Sequence, residues 1–172
     1  MLSRQGKSIV FLALFAALAS HSASVLAADV ATPSSAGRDL SDSEAGRVLD
    51  LIFGARPREA AAYLQTMENR SAGEPLFHIM RARCYQEFIP MDDLNHAAAR
   101  ERSVPALEEL DRCIDICTRR LDSGAGDDKL VLYRGWAWMA KAYVRSMTRD
   151  MFPAAREAKK GKKDLEAYLA TH

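Results

Sequence analysis

Leu107, Leu110, Ile114, Cys117 and Leu121 recur at steps of three, four, three and four. An α-helix with one buried seam places such residues in line, because its 3.6-residue turn returns to the same side at those steps. The same periodicity runs through most of the chain, and no window alternates apolar with polar residues over the length of a strand. An all-α chain is therefore expected. Its short connections imply antiparallel neighbours.

Local punctuation sets the expected bounds. Ser41-Asp42-Ser43-Glu44 has the form of a capping box, Val48, Leu49, Ile52 and Phe53 follow at helical spacing, and Gly54 stops the helix. Pro57 opens a second helix with Ala60, Tyr63, Leu64 and Met67 on its apolar face, and Ser71-Ala72-Gly73 breaks it. A third, from about 74 to 88, carries Phe77, Met80, Cys84, Tyr85 and Phe88, and Pro90 ends it. Residues 90–103 read as a longer connection with a short helix over 93–100, after which Ser103 and Pro105 start the fourth helix. A glycine-containing loop over 122–128 leads to a fifth helix over 129–149, the most apolar in the chain. A sixth begins near Asp150, with Pro153 in its first turn and Ala155, Ala158, Leu165, Tyr168 and Leu169 on its buried side. Gly161 inside it is expected to cost about 1 kcal/mol relative to Ala.

Residues 1–27 have the pattern of a secretory signal peptide. Arg4 and Lys7 precede the apolar run 9–19, and Val25-Leu26-Ala27 presents small residues for cleavage. The run is shorter than the roughly 20 apolar residues a membrane span needs, and no comparable run follows. An exported protein, periplasmic or secreted, is the expectation. No cysteine near the cleavage point supplies a lipobox, so no lipid anchor is expected there. Residues 28–40 read as a disordered leader, and 41–172 as the folded domain. Cleavage takes the formal charge from +1 to −1, which gives no global electrostatic case for nucleic acid.

The three cysteines are Cys84, Cys113 and Cys117. Their apolar neighbours suggest small buried hydrophobes. An oxidising compartment also permits a bridge from Cys84 to Cys113 or Cys117. A zinc site of all three with His78 would rest on the C-x3-C spacing alone, and no metal or cofactor is expected.

Six helices in three hairpins raise the question of repeats. Phe77, Met80 and Cys84 fit the steps of the first helix of a tetratricopeptide repeat, with Arg81 in place of the small residue. Val131, Gly135 and Trp138 fit them again, with Arg134 in the Leu-like place. Ala60 and Leu64 fit the second-helix steps, and Pro75 falls near the closing proline. The chain thus resembles the tetratricopeptide repeat family over most of 42–170. Phe77 and Val131 stand 54 residues apart, against about 34 for a regular repeat, so the middle unit carries an insertion. The resemblance implies a short right-handed stack of antiparallel helix hairpins with a partner-binding groove. It implies no catalysis.

The fifth helix carries the candidate site. Projected at 100° per residue, Leu132, Trp136, Met139, Ala140, Tyr143 and Met147 share one direction, expected to be core. Arg134, Lys141, Arg145 and Arg149 share the opposite one, with Trp138 among them and no acid from the same helix. Arginine pairs bidentately with carboxylates and tryptophan supplies rigid contact area. Arg134, Trp138, Lys141 and Arg145, with Tyr85 as a further lining residue, are therefore the candidate surface for an anionic or C-terminal peptide segment. The alternative is a solvated face. Arg156, Lys159, Lys160, Lys162 and Lys163 form the densest positive run, suited to anionic lipid headgroups, an acidic partner, or the soluble outer side of a terminal helix.

The motifs G-x-S-x-G, H-E-x-x-H, the P-loop and G-x-G-x-x-G do not occur. His78 and Cys84, six apart on a helix, point about 120° away from each other, which suits no base–nucleophile pair. A non-catalytic exported domain that binds a protein or peptide is the leading expectation. A subunit of an envelope oligomer is the second, and a small-molecule or lipid carrier the third.

Overall fold

A computed structural model describes residues 40–90, 96–124 and 127–172. The expected signal peptide, and the leader except for Leu40, lie outside the described residues. Leu40 itself, expected at the end of the leader, is buried in the core.

Seven α-helices and no strand occur among the described residues. α1 spans Asp42–Phe53 and begins with the expected capping box. The Ser41 hydroxyl accepts from the Glu44 backbone N–H at 3.4 Å, and Glu44 Oε2 accepts from the Ser41 N–H at 2.9 Å. α2 spans Pro57–Gln65 and α3 is a single turn, Glu68–Ser71. The second expected helix is thus two. At the break the Thr66 hydroxyl donates to the Tyr63 carbonyl at 2.7 Å, and Met67 turns into the core. α4 spans Pro75–Gln86.

α5 runs unbroken over His96–Asp122, where a connection and two shorter helices were expected. Proline lacks an N–H and usually ends or kinks a helix. Here Pro105 and Glu101, whose carbonyl loses its partner, are both exposed, which leaves the break on the solvent side of the helix. The buried side never lapses: Ala99, Ser103, Ala106, Leu110, Cys113 and Cys117 keep steps of four and three straight through the proline. α6 spans Lys129–Met147 and α7 spans Met151–Leu169.

The long helices pack on their chain neighbours, most extensively α4 on α5, α5 on α6 and α6 on α7. The apolar interior divides in two. Val48, Ile52, Ala60, Leu64 and Met67 meet Phe77, Met80 and Cys84 of α4. Ile79 and Ala82, also of α4, meet Leu110, Cys113, Ile114 and Cys117 of α5 and Ala137 and Val144 of α6. α4 is therefore a wall shared by both cores, which explains why its apolar residues are spread around its circumference. No described helix is long and apolar enough to cross a membrane.

Candidate binding surface

α6 is rotated relative to the expected orientation. Its buried residues include Leu130, Ala137, Lys141 and Val144, at steps of seven, four and three, and Thr148 extends the line. Lys141 is only 8% exposed. Trp136, Ala140 and Met147, expected at the centre of the core, pack at its margin, and Leu132, Met139 and Tyr143 are likewise only partly buried. Arg134, Lys141 and Arg145 of the cationic stripe face acids supplied from outside α6, while Arg149 lies exposed beyond the end of that helix.

Arg134 donates from Nε and Nη2 to the two carboxylate oxygens of Asp164 at 2.7 and 2.9 Å. Lys141 donates to Asp111 of α5 and lies 3.6 Å from Glu157 of α7. Arg145 reaches Asp150 at 3.5 Å and Glu157 at 3.8 Å. Arg134 and Lys141 stand seven apart on α6, and their partners Asp164 and Glu157 stand seven apart on α7 in the opposite chain direction. That antiparallel register was the signal in the sequence. Burial pushes the Glu157 carboxyl above its ordinary range, against the pull of Lys141 and Arg145.

Glycine sets how closely the two helices approach. A Cβ on Gly161 would lie 2.9 Å from the Gly135 carbonyl oxygen and 3.0 Å from the Met139 backbone nitrogen. The expected local cost of Gly161 is thus offset by a close helix crossing.

Trp138 is half-buried against the edge of the core. Lys160 Nζ lies 4.1 Å from its ring centroid and Lys141 Nζ 5.5 Å from it, both within cation–π range. A cleft of about 200 Å³ opens here, lined by Trp138, Lys141, Pro153, Arg156, Glu157 and Lys160. Trp138 and Lys141 therefore share a site, Arg145 stands beside it through Glu157, and Arg134 is engaged with Asp164. Tyr85 does not line this cleft. It packs against the core from α4, and its hydroxyl accepts from Arg81 at 3.5 Å.

The outer side of α7 has a different character. Phe152 is 89% exposed and Met151 62%. At 100° per residue, Phe152, Arg156, Lys159 and Lys163 fall within about 60° of one another, with Lys160 alongside. Arg156, Lys159, Lys160 and Lys163 have no acid partner among the described residues, whereas Lys162 reaches Glu166 at 3.5 Å. The acids of this helix up to Asp164 are turned inward: Glu157 is buried, and Asp164 is held by Arg134. The sequence reading found the cations and missed Phe152, whose i, i+4, i+7, i+11 relation to them was the available signal.

A second cleft, of about 260 Å³, lies over α4 and α5 and is lined in part by Glu68, His78, Arg81, Arg112 and Arg119. Beside it the His78 Nε2–H donates to the Ala72 carbonyl at 2.8 Å, and Nδ1 is hydrogen-bonded to Glu109 Oε2 at 2.6 Å. Arg112 donates to Glu109 Oε1 at 2.9 Å, and Arg81 reaches the same oxygen at 3.7 Å. His78 is thus fully engaged.

All three cysteines are free and buried. The bridge considered from Cys84 to Cys113 or Cys117 is not formed, because α4 presents Cys84 to α1 and α2 while Cys113 and Cys117 belong to the other core. Burial pushes the Cys84 thiol up to about 11. No group of three His, Cys, Asp or Glu residues suited to a metal ion occurs among the described residues. Comparison with family models, with characterised proteins and with solved structures finds no match to this chain.

Proposed function

We propose that this protein is an exported, non-catalytic helical module that works by binding an anionic partner along α7. The carrying observation is the segregation of charge on that helix: inward acids are paired with α6, and Arg156, Lys159, Lys160 and Lys163 are left outward without acid partners among the described residues. Unpaired like charges repel one another, so an anion that spans them relieves the repulsion and gains attraction at once. The antiparallel hairpins and the resemblance to tetratricopeptide repeats support a role in binding. The signal-peptide pattern of residues 1–27 supports export.

This reading moves the working surface outward by one helix from the expected stripe. Arg134, Lys141 and Arg145 hold α7 in place, Trp138 forms the floor of a cleft, and Arg156 and Lys160 are the cations available at its mouth. Both clefts are smaller than the roughly 300–1,000 Å³ of a small-molecule pocket, which favours a surface over a carrier cavity.

Retention on immobilised poly-L-glutamate tests the reading. The full chain should bind at low salt and elute as ionic strength rises. Lys159→Glu with Lys163→Glu should abolish retention while far-ultraviolet circular dichroism stays unchanged. Equal retention of the variant would overturn the proposal.

A further inference from the structure

Resting on that reading, we infer that the anionic partner is a lipid surface: α7 lies flat on a negatively charged membrane, its lysines over the headgroups and Phe152 with Met151 inserted among the acyl chains. Three observations carry this.

The first is the pairing of an aromatic side chain with cations on one line. Phe152 is 89% exposed, and the cationic ridge continues from it for about 17 Å along the helix. A membrane interface takes a bulky apolar side chain and a row of cations in the same plane. A run of carboxylates alone uses the cations and gives the phenyl ring nothing apolar to contact.

The second is the kind of cation. The two-bond grips on a single carboxylate are made by arginine, whereas Lys141 meets Asp111 through one Nζ. Arg134 holds Asp164 through two bonds, and Arg120 holds Glu74 the same way at 2.9 and 3.0 Å. The outer ridge is lysine but for Arg156. Lysine is a mobile point charge on a long apolar stem, suited to a diffuse field of headgroups and poorly suited to fixing one carboxylate.

The third is shape. The ridge is the exposed outer side of α7, and the cleft beside it, of about 200 Å³, is too small to seat a helix or strand. A surface that binds peptides usually offers a groove or a free sheet edge. An exposed cationic ridge without a groove fits a plane.

The experiment is co-sedimentation of the full chain with vesicles of phosphatidylglycerol and phosphatidylcholine, and with phosphatidylcholine alone, beside the poly-L-glutamate column. The wild-type chain should sediment with the mixed vesicles and not with the neutral ones. Each lysine near a charged surface contributes roughly fivefold, so Lys159→Glu with Lys163→Glu should weaken vesicle binding by about thirtyfold or more. Phe152→Ser should weaken it by about tenfold and leave poly-L-glutamate retention unchanged. All variants share the N-terminal region, so differences between them report on α7. Retention on poly-L-glutamate without vesicle binding would overturn the lipid inference and keep the anionic-partner reading. Vesicle binding indifferent to Phe152→Ser, or to the lysine reversal, would also overturn it. Failure on both supports would overturn both proposals.

Discussion

Gly161 and Gly135 form the crossing point of α7 and α6: a Cβ on Gly161 would stand 2.9 Å from the Gly135 carbonyl oxygen, with Met139 Cγ at 2.8 Å. Intrinsic helix propensity alone favours Gly161→Ala by about 1 kcal/mol. The crossing demands the opposite sign. Gly161→Ala should destabilise the protein by about 1–3 kcal/mol, because backbone on both sides cannot yield. Gly135→Ala meets only side-chain atoms, of Leu165 at 3.0 Å and Asp164 at 3.2 Å, and should cost less. Gly46→Ala in α1 meets nothing within 4 Å and should stabilise by about 0.5–1 kcal/mol. Urea unfolding of the three variants checks the order, and a stabilised Gly161→Ala would contradict the crossing.

The His78–Glu109 pair is buried and closed off by Arg81, Arg112 and the Ala72 carbonyl. Removing one partner leaves the other buried and uncompensated. Glu109→Gln should therefore cost about 3 kcal/mol. The double variant with His78→Gln should cost less than the sum of the singles by about 1 kcal/mol or more, as contacting residues do. Additive losses in a denaturant cycle would show that the two residues act independently.

Backbone and hydroxyl hydrogen bonds from Ser41, together with Arg70, hold the Glu44 carboxyl at about 2, below its ordinary 4.5. A depressed carboxyl adds stability that is complete above about pH 4.5 and disappears as pH falls toward 2. The difference in stability between the wild type and Glu44→Gln should follow that course. Ser41→Ala should cost about 1 kcal/mol at pH 7. A difference unchanged between pH 6 and pH 3 would mean that the box does not form.

Burial and the raised Cys84 thiol make the native cysteines poor nucleophiles. A disulfide-exchange reagent at pH 8 should find no fast-reacting thiol in the folded protein and three after denaturation without reductant. One thiol after denaturation would reveal a bridge.

The helices were legible because their signals are local. The Ser41–Glu44 cap, Pro57 and the stop at Gly54 act within a few residues, and they lie where the sequence places them. The continuity of α5 through Pro105 was hidden, because a proline signals a start or a break unless its orphaned carbonyl faces water. The rotation of α6 was hidden for a longer-range reason. A buried lysine reads as an exposed one until its acids are found, and the partners of Lys141 lie thirty residues before and sixteen after it. The candidate site was legible in its residue types and misplaced by the width of a helix.

α4 has one more consequence. Because it closes the core of α1 to α3 on one side and that of α5 and α6 on the other, neither half of the chain owns a complete interior. Cutting the polypeptide between residues 90 and 96 would strip one fragment of its keystone and leave the other with a bare flank of isoleucine and alanine. Neither piece should stand alone, and heat should melt the intact molecule in one step.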